Sequence, residues 1–332
     1  MGALRVAVVG LGPIGLSIGE LALARQDLDV VGAGDVRADM DGSDLGSWLA
    51  HPQDTGVTVR ADVDGMLVDA RPDVVFHSTL SSLDGILAQL EAIASLGIDV
   101  VSTCEELSFP WSANKEAATR IDDAAQRGGA SVLGTGVNPG FAMDALPLMA
   151  SAAAQRVDHM AVFRIQDAGV RRLPLMKKVG VGISVEEFEA RRDTIGHVGL
   201  PESVSLVAAG LGWRLQKVER ELNPVVAEEV GQFGEIEVEP GRVLGVHESM
   251  RGYVDGEERL TLDLKMYAGA PDPHDEVVID GVPNIRMRTD GLHGDVCTAA
   301  VAVNAAHAVH RAQPGLLTMR DVPLVSAYVR GS

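Results

Sequence analysis

Cys104, Glu105 and Glu106 place a thiol and two carboxyls at the end of an apolar, β-branched run, Asp99–Cys104. A carboxylate at such a strand end can exchange a proton with a substrate and steady a developing cation. A thiol there can add to an aldehyde, provided a base or a cation lowers its pKa, and His77 is the near candidate for that base. Glu105 follows the strand first and is the better placed of the two acids for a cleft, while Glu106 could equally cap the segment that follows. The rival for Cys104 is small buried packing, and for His77 a satisfied polar residue.

A second constellation stands near the N-terminus. Val6–Gly19 reads Val-Ala-Val-Val-Gly-Leu-Gly-Pro-Ile-Gly-Leu-Ser-Ile-Gly. A buried strand is followed by Gly10, Gly12 and Gly15 in the spacing G-x-G-x-x-G, and then by a helical pattern at Ile14, Ile18 and Leu21. Gly10 permits the turn, Gly12 lets a pyrophosphate approach the backbone, and Gly15 lets the helix pack close to the strand. The unpaired N–H groups of the first helical turn, at Ile14 and Gly15, then hold the phosphates, and Pro13, which has no N–H, is assigned to the same turn. Asp35 ends the second strand signal, Leu28–Gly34, where an acid accepts hydrogen bonds from ribose hydroxyls and favours NAD. Arg37, two residues on, could instead pair with the 2′-phosphate of NADP. The cofactor is NAD or NADP, with the preference open.

Stepping outward, the elements that must hold these residues alternate. Strand signals at Val57–Arg60, Asp73–Thr79, Asp99–Cys104 and Ala130–Thr135 are separated by helical patterns at Val63–Ala70, Ser82–Leu96 and Ala113–Arg127. Ala38–Thr55 reads as a short helix and loops. This predicts an α/β Rossmann fold, a doubly wound parallel sheet, over residues 1–145. Ligands of such sheets sit beyond the carboxyl ends of the strands. His77, Ser78 and Thr79 of the fourth strand, Cys104 of the fifth, and Asn138 and Pro139 after the sixth are therefore assigned to the cofactor.

From Val157 the strands lengthen and alternate: Met160–Gln166, Arg214–Glu221, Glu235–Val246 and Leu260–Tyr267. Leu260, Leu262, Leu264 and Met266 alternate with Thr261, Asp263 and Lys265, the pattern of a sheet wet on one face. Residues 146–290 are predicted to form an α+β domain with a mainly antiparallel sheet and helices at Val185–Arg192 and Ser203–Ala209. Residues 291–332 are predicted to supply a helix, Asp295–Arg311, capped by its own acid, and a tail that packs back on the first domain.

With 332 residues, 46% hydrophobic and 23% charged, the chain has material for two cores. The formal net charge of −19 argues against nucleic acid or an anionic membrane as partner. No apolar run approaches the ~18 residues of a membrane span, and the N-terminal residues carry no signal-peptide pattern. Cys104 and Cys297 form no C-x-x-C pair and no disulfide framework. The expectation is a cytoplasmic enzyme with no metal.

Several motifs together resemble one family. They are Ser102–Leu107, Gly134–Phe141, Gln166-Asp167-Ala168 with Arg171–Pro174, Gly196–Ser203, Gly241–His247, and Gly294-Asp295 with Thr298 and Asn304. Over nearly its whole length the chain resembles 2,4-diaminopentanoate dehydrogenases and the native amine dehydrogenases related to them, within the dihydrodipicolinate-reductase-like dehydrogenases. The resemblance implies a two-domain, homodimeric NAD(P)-dependent enzyme that removes an amine as ammonia or runs the reverse reductive amination. Its small-molecule partners are then an amine or ketone and ammonia, and its catalytic acid lies in the Glu105 segment. Asn138 and Phe141 would border the nicotinamide, with Phe141, Gln166, Thr194 and His197 lining the substrate pocket. A buried, hydrogen-bonded role for His197 stays open. Arg171 and Arg172 would anchor a substrate carboxylate or the protein's own acids, which separates a diamino acid enzyme from a simple amine enzyme. Dihydrodipicolinate reductase itself fits poorly, since its paired histidines and Lys with Pro-Ser-Gly-Thr have no counterpart between Val157 and Ile183. Homoserine dehydrogenase carries Asn-Lys where this chain has Cys104-Glu105, so a lysine mechanism does not fit. A thiol-dependent semialdehyde dehydrogenase and a non-catalytic NAD(P) sensor are the remaining alternatives.

Overall fold

The structure, a computed structural model, describes residues 2–196 and 198–328. The expectation for His197 lies outside the described residues. By contact the chain divides into two units, one running to Phe141 and resuming at Gly294, the other spanning Ala142–His293.

The first unit begins with β1, Leu4–Val9, buried on both faces from Val6 onward, as a central parallel strand requires. It continues through α1 (Pro13–Leu23), β2 (Leu28–Gly34), β3 (Val59–Arg60), α2 (Val63–Ala70), β4 (Val74–His77), α3 (Leu83–Ser95), β5 (Asp99–Ser102), α4 (Lys115–Gly128) and β6 (Ser131–Gly134). The α2 helix starts where the Asp62 carboxylate accepts the Gly65 amide at 3.0 Å. Residues 38–55 contain one 3₁₀ turn, Leu45–Trp48. Asp44 folds that loop by accepting the amides of Gly46, Thr55 and Gly56 and the Thr55 hydroxyl. These contacts satisfy backbone groups that no strand reaches.

The second unit runs α5 (Ala145–Ser151), β7 (Arg156–Asp167), α6 (Leu173–Lys178), α7 (Val185–Ala190), α8 (Leu200–Leu211), β8 (Lys217–Val226), β9 (Gly231–Phe233), β10 (Ile236–Val238), β11 (Val243–Val254), β12 (Glu257–Tyr267), β13 (His274–Val282) and β14 (Ile285–Thr289). Its six-stranded sheet has the order β14-β13-β7-β12-β11-β8. The β12–β7 pair is parallel and the other pairs are antiparallel. The alternation expected for β12 holds: Leu260, Leu262 and Leu264 are fully buried and the residues between them are half-buried. One expected strand does not form as read. Glu235–Val246 splits into β10 and β11, because Pro240 lacks an amide and Gly241 turns the chain at φ +83°. β13 and β14 escaped the sequence reading, since acids interrupt the apolar run of the first and arginines that of the second. The pairings that carry them are tertiary: Asp275 meets buried Arg164 of β7, and Glu276 takes Arg286 in a two-bond pair, 2.6 and 3.0 Å.

The chain then returns to the first unit as α9 (Gly294–His310) and β15 (Gly315–Leu317). α9 starts at Gly294, one residue before the start expected for it, so Asp295 stands within its first turn. β15 joins parallel to β6, which completes a seven-stranded parallel sheet of order β15-β6-β5-β4-β1-β2-β3. Ile18 of α1 and Ala302, Val303 and Ala306 of α9 pack on one face around Phe76. Ile86, Leu90 and Ile121 pack on the other face around Val75. Small alanines let α9 lie close to α1 and the sheet, where each fully buried Val, Leu or Ile contributes about 1.5–3 kcal/mol.

Candidate active site

The glycine turn divides its labour by position. Gly10 has φ +87°, and a Cβ there would lie 2.4 Å from Ser78 O. A Cβ on Gly15 would lie 1.8 Å from Gly10 O, so α1 can approach β1 only with glycine. Gly12, the N-cap of α1, has an ordinary φ of −66° and makes no side-chain cap. No heavy atom lies within 4 Å of the position its Cβ would take. The protein therefore leaves one opening in the turn, beside the amides of Ile14 and Gly15 that α1 itself cannot satisfy. Unsatisfied amides beside open space are the setting a pyrophosphate needs.

At the end of β2, Asp35 is pulled up in pKa by its burial. The hydrogen bonds from the Arg37 side chain and the Leu11 amide outweigh that effect and hold the carboxyl below its ordinary value. One oxygen accepts the Leu11 amide at 2.7 Å, and the other accepts the Arg37 amide at 3.0 Å and Nε at 3.1 Å. Arg37 also donates from Nη2 to Leu11 O at 2.7 Å. The residues that compete for the adenosine ribose thus lie against one another and against the glycine turn.

The ends of β4 and β5 sort the remaining candidates. Glu106 accepts the Leu83 amide at 2.7 Å and so caps the first turn of α3. Cys104 is 2% exposed, and its thiol donates to Ser81 O at 3.1 Å. Burial pushes that thiol up to about 12, with the neighbouring Glu105 and Glu106 charges adding to the rise. The thiolate needed for a semialdehyde mechanism is absent at neutral pH, and that alternative is set aside. His77 is fully buried, with Nδ1 3.0 Å from Ser102 Oγ and Nε2 2.8 Å from Gln89 Oε1. Burial pushes it down to about 4, so it serves as no base for the thiol. The side chains of His77 and Cys104 thus have partners within the protein. Ser78 and Thr79 remain at the glycine turn: Ser78 donates its amide to Val9 O, and Thr79 Cγ2 lies 2.8 Å from the position of a Gly10 Cβ. Glu105 is half-buried and opens a 3₁₀ turn, Glu105–Leu107, whose first carbonyl accepts the Ser108 hydroxyl at 2.9 Å.

After β6, the loop to Phe141 folds tightly. A Cβ on Gly134 would lie 2.5 Å from the Leu107 backbone, and Gly140 turns at φ +119°. The Val137 amide donates to Thr298 Oγ1 of α9 at 3.2 Å, a contact with no local signal in the sequence. Asn138 and Pro139 are buried and Phe141 is half-buried. In the second unit, Gln166 is 6% exposed on the buried face of β7, and Thr194 donates its hydroxyl to Arg191 O at 3.0 Å. Arg171 follows a 3₁₀ turn and Arg172 is the N-cap of α6. The sequence reading also missed Glu248, fully buried and 2.7 Å from Arg220 Nε, because its partner is 28 residues away. Among the described residues, no group of three His, Cys, Asp or Glu side chains is placed to hold a metal ion, and no helix is long and apolar enough to cross a membrane.

A glycine turn open at the start of α1, with an acid at the end of the next strand, is the arrangement of a nicotinamide-dinucleotide-dependent dehydrogenase. Known proteins narrow that class. Residues 141–332 match the family described as the 2,4-diaminopentanoate dehydrogenase C-terminal domain. The chain is 30% identical over 337 residues to a 2,4-diaminopentanoate dehydrogenase of Acetoanaerobium sticklandii, covering 98% of this chain and 95% of the relative. It is 25% identical to an amine dehydrogenase of Streptomyces virginiae, over 87% of this chain and 88% of the relative. In fold it is similar to the amine dehydrogenase of Mycobacterium smegmatis, at TM-score 0.86 and 22% identity over 98% of this chain and 97% of the other. The chain belongs to the 2,4-diaminopentanoate dehydrogenase family, and it is an NAD(P)-dependent oxidoreductase acting on CH–NH₂ groups.

Proposed function

We propose that the enzyme oxidises a primary amine to a ketone or aldehyde with release of ammonia, and runs the reverse reductive amination, with Glu105 as its proton carrier. One observation carries the choice of residue. Glu105 comes first after the end of β5 and opens the 3₁₀ turn half-buried, whereas Glu106 caps α3 and Cys104 is buried. Its carboxylate takes the proton of the substrate ammonium, leaving the neutral amine that can give up hydride. The nicotinamide, when bound, supplies the hydride acceptor. As the C–H bond breaks, the substrate becomes an iminium cation, and a carboxylate about 4 Å away steadies it by about 4 kcal/mol at an effective dielectric near 20. Water then adds to the iminium carbon, and Glu105 moves protons between the water and the departing ammonia.

Gly10, Gly12, Pro13, Ile14 and Gly15 would hold the pyrophosphate, with Asp35 and Arg37 at the adenosine ribose and Ser78, Thr79, Asn138 and Pro139 toward the nicotinamide. Phe141, Gln166, Thr194 and His197 are assigned to the substrate side. A diamino acid substrate is the second reading, favoured by the 30% identity to the A. sticklandii enzyme. Arg171 and Arg172 would then anchor its carboxylate. A homodimer is supported by the half-buried sheet face that carries Phe163, Ile165 and Tyr267. A cytoplasmic location accords with the composition of the chain.

The test compares kcat for amine-dependent NAD(P)H production in Glu105→Gln, Glu106→Gln and Cys104→Ala. Glu105→Gln should lose about 10²–10⁴-fold, roughly 3–5 kcal/mol in barrier. Cys104→Ala should keep most of its turnover, and Glu106→Gln should lose stability before rate. Full activity in Glu105→Gln sinks the proposal. A panel of amines and diamino acids, run with both cofactors at alkaline pH, decides between the two substrate readings.

A further inference from the structure

His77 and Ser102 are fully buried at the ends of adjacent strands, β4 and β5. Their contacts form a directed chain. Gln89 presents its carbonyl oxygen 2.8 Å and Thr79 its hydroxyl oxygen 3.1 Å from Nε2; in the tautomer with the proton on that nitrogen both can accept it, and Nδ1 is the acceptor. Ser102 Oγ, 3.0 Å from Nδ1, then donates its proton to the ring. The same oxygen accepts the Cys104 amide at 3.2 Å. Cys104 is the N-cap of the 3₁₀ turn that begins with Glu105. On either side the backbone is stitched as well: the Thr103 amide donates to His77 O at 2.9 Å, and Thr103 Oγ1 donates to Ser78 Oγ at 3.1 Å.

We propose that His77, acting through the Ser102 hydroxyl, is a positioning residue that sets the turn from which the Glu105 carboxylate projects. This rests on the reading of Glu105 as the proton carrier. The strand ladder does not ask for a hydroxyl at position 102, because backbone groups pair β5 with β4 and β6. What the hydroxyl supplies is a fixed partner for one amide, the amide immediately before Glu105. A turn of three residues has little rigidity of its own, and an error of about 1 Å in the aim of a reacting group can cost 10²-fold in rate. The chain works only while the ring is neutral, since a protonated Nδ1 would take the place of the Ser102 proton. Burial keeps the ring in that state throughout the pH range of amine chemistry.

The experiment measures kcat, the amine KM and the NAD(P)H dissociation constant in Ser102→Ala, His77→Asn and His77→Gln, beside Glu105→Gln and the double variant Ser102→Ala/Glu105→Gln. Ser102→Ala deletes one atom and should lower kcat about 10–100-fold, with KM and the dissociation constant within about twofold. His77→Asn can keep an acceptor where Nδ1 stood and should retain more turnover than His77→Gln, although Gln is nearer to His in volume. The double variant should be no slower than Glu105→Gln alone, as expected for groups that act as one unit. Wild-type kcat in Ser102→Ala, the reverse order of Asn and Gln, or losses that multiply in the double variant would each overturn the proposal. A slow Glu105→Gln beside a normal Ser102→Ala removes the positioning role and leaves the Glu105 assignment standing. A fully active Glu105→Gln removes both.

Discussion

Replacing Gly12 by Val puts a branched side chain into the one opening of the glycine turn. The free protein should accept it. No atom lies within 4 Å of the new Cβ, and φ is −66°, so Cβ meets no obstacle and the backbone no strain. The remaining cost is the poor N-cap quality of Val, about 1 kcal/mol, which lowers Tm by about 2–4 °C for a unit of this size. The cofactor should not accept it. A pyrophosphate at the start of α1 takes charge-assisted hydrogen bonds worth about 1.5–3 kcal/mol each. Displacing two loses about 3–6 kcal/mol, or about 10²–10⁴-fold in dissociation constant. Gly15→Ala makes the contrasting case, because its Cβ would lie 1.8 Å from Gly10 O, and the turn must open to relieve the overlap. That overpacking costs about 1–3 kcal/mol or more and lowers Tm further than Gly12→Val does. Calorimetric titration of NADH and NADPH, with thermal denaturation of the free proteins, reads both quantities. Undiminished cofactor affinity in a folded Gly12→Val protein, or a larger loss of Tm there than in Gly15→Ala, would refute the division of roles within the turn.

Two further predictions concern charge. Arg37→Ala should weaken NADP binding by about 1.5–3 kcal/mol if Arg37 turns from Asp35 to a 2′-phosphate; equal losses for NAD and NADP, measured by titration, would show that it reads no phosphate. His77 should make stability depend on pH: its folded pKa of about 4 lies below the ordinary 6.5, so the unfolded chain binds the extra proton between those values. Stability is then complete above about pH 6.5 and falls by roughly 2–3 kcal/mol as pH drops toward 4. Denaturant titrations across that window should show a shallower slope in His77→Asn, and an unchanged slope would place the titration elsewhere.

Much of the first unit is legible in one dimension because its determinants are local. The apolar run of β2 and the Asp62 cap of α2 define these elements at the bounds the structure shows, Leu28–Gly34 and Val63–Ala70. The roles of Gly10, Gly12 and Gly15 follow from spacing alone, since a strand, a turn and a helix start impose them within six positions. The acids after β5 mark the reacting end of the sheet for the same reason. Position along the chain already favours Glu105, which follows the strand first. What it cannot show is that Glu106 caps α3 through the Leu83 amide, 23 residues away. Spacing also could not show that Cys104 is buried against Ser81 O, that His77 meets Ser102, or that Asp35 and Arg37 bind each other. The strands β13 and β14 likewise depend on Arg164 and on cross-strand pairs for their burial. Local sequence determines which backbone conformations are cheap. Which polar atoms pair with one another is decided only when distant segments meet, because a buried polar group must find its partner wherever the fold brings one.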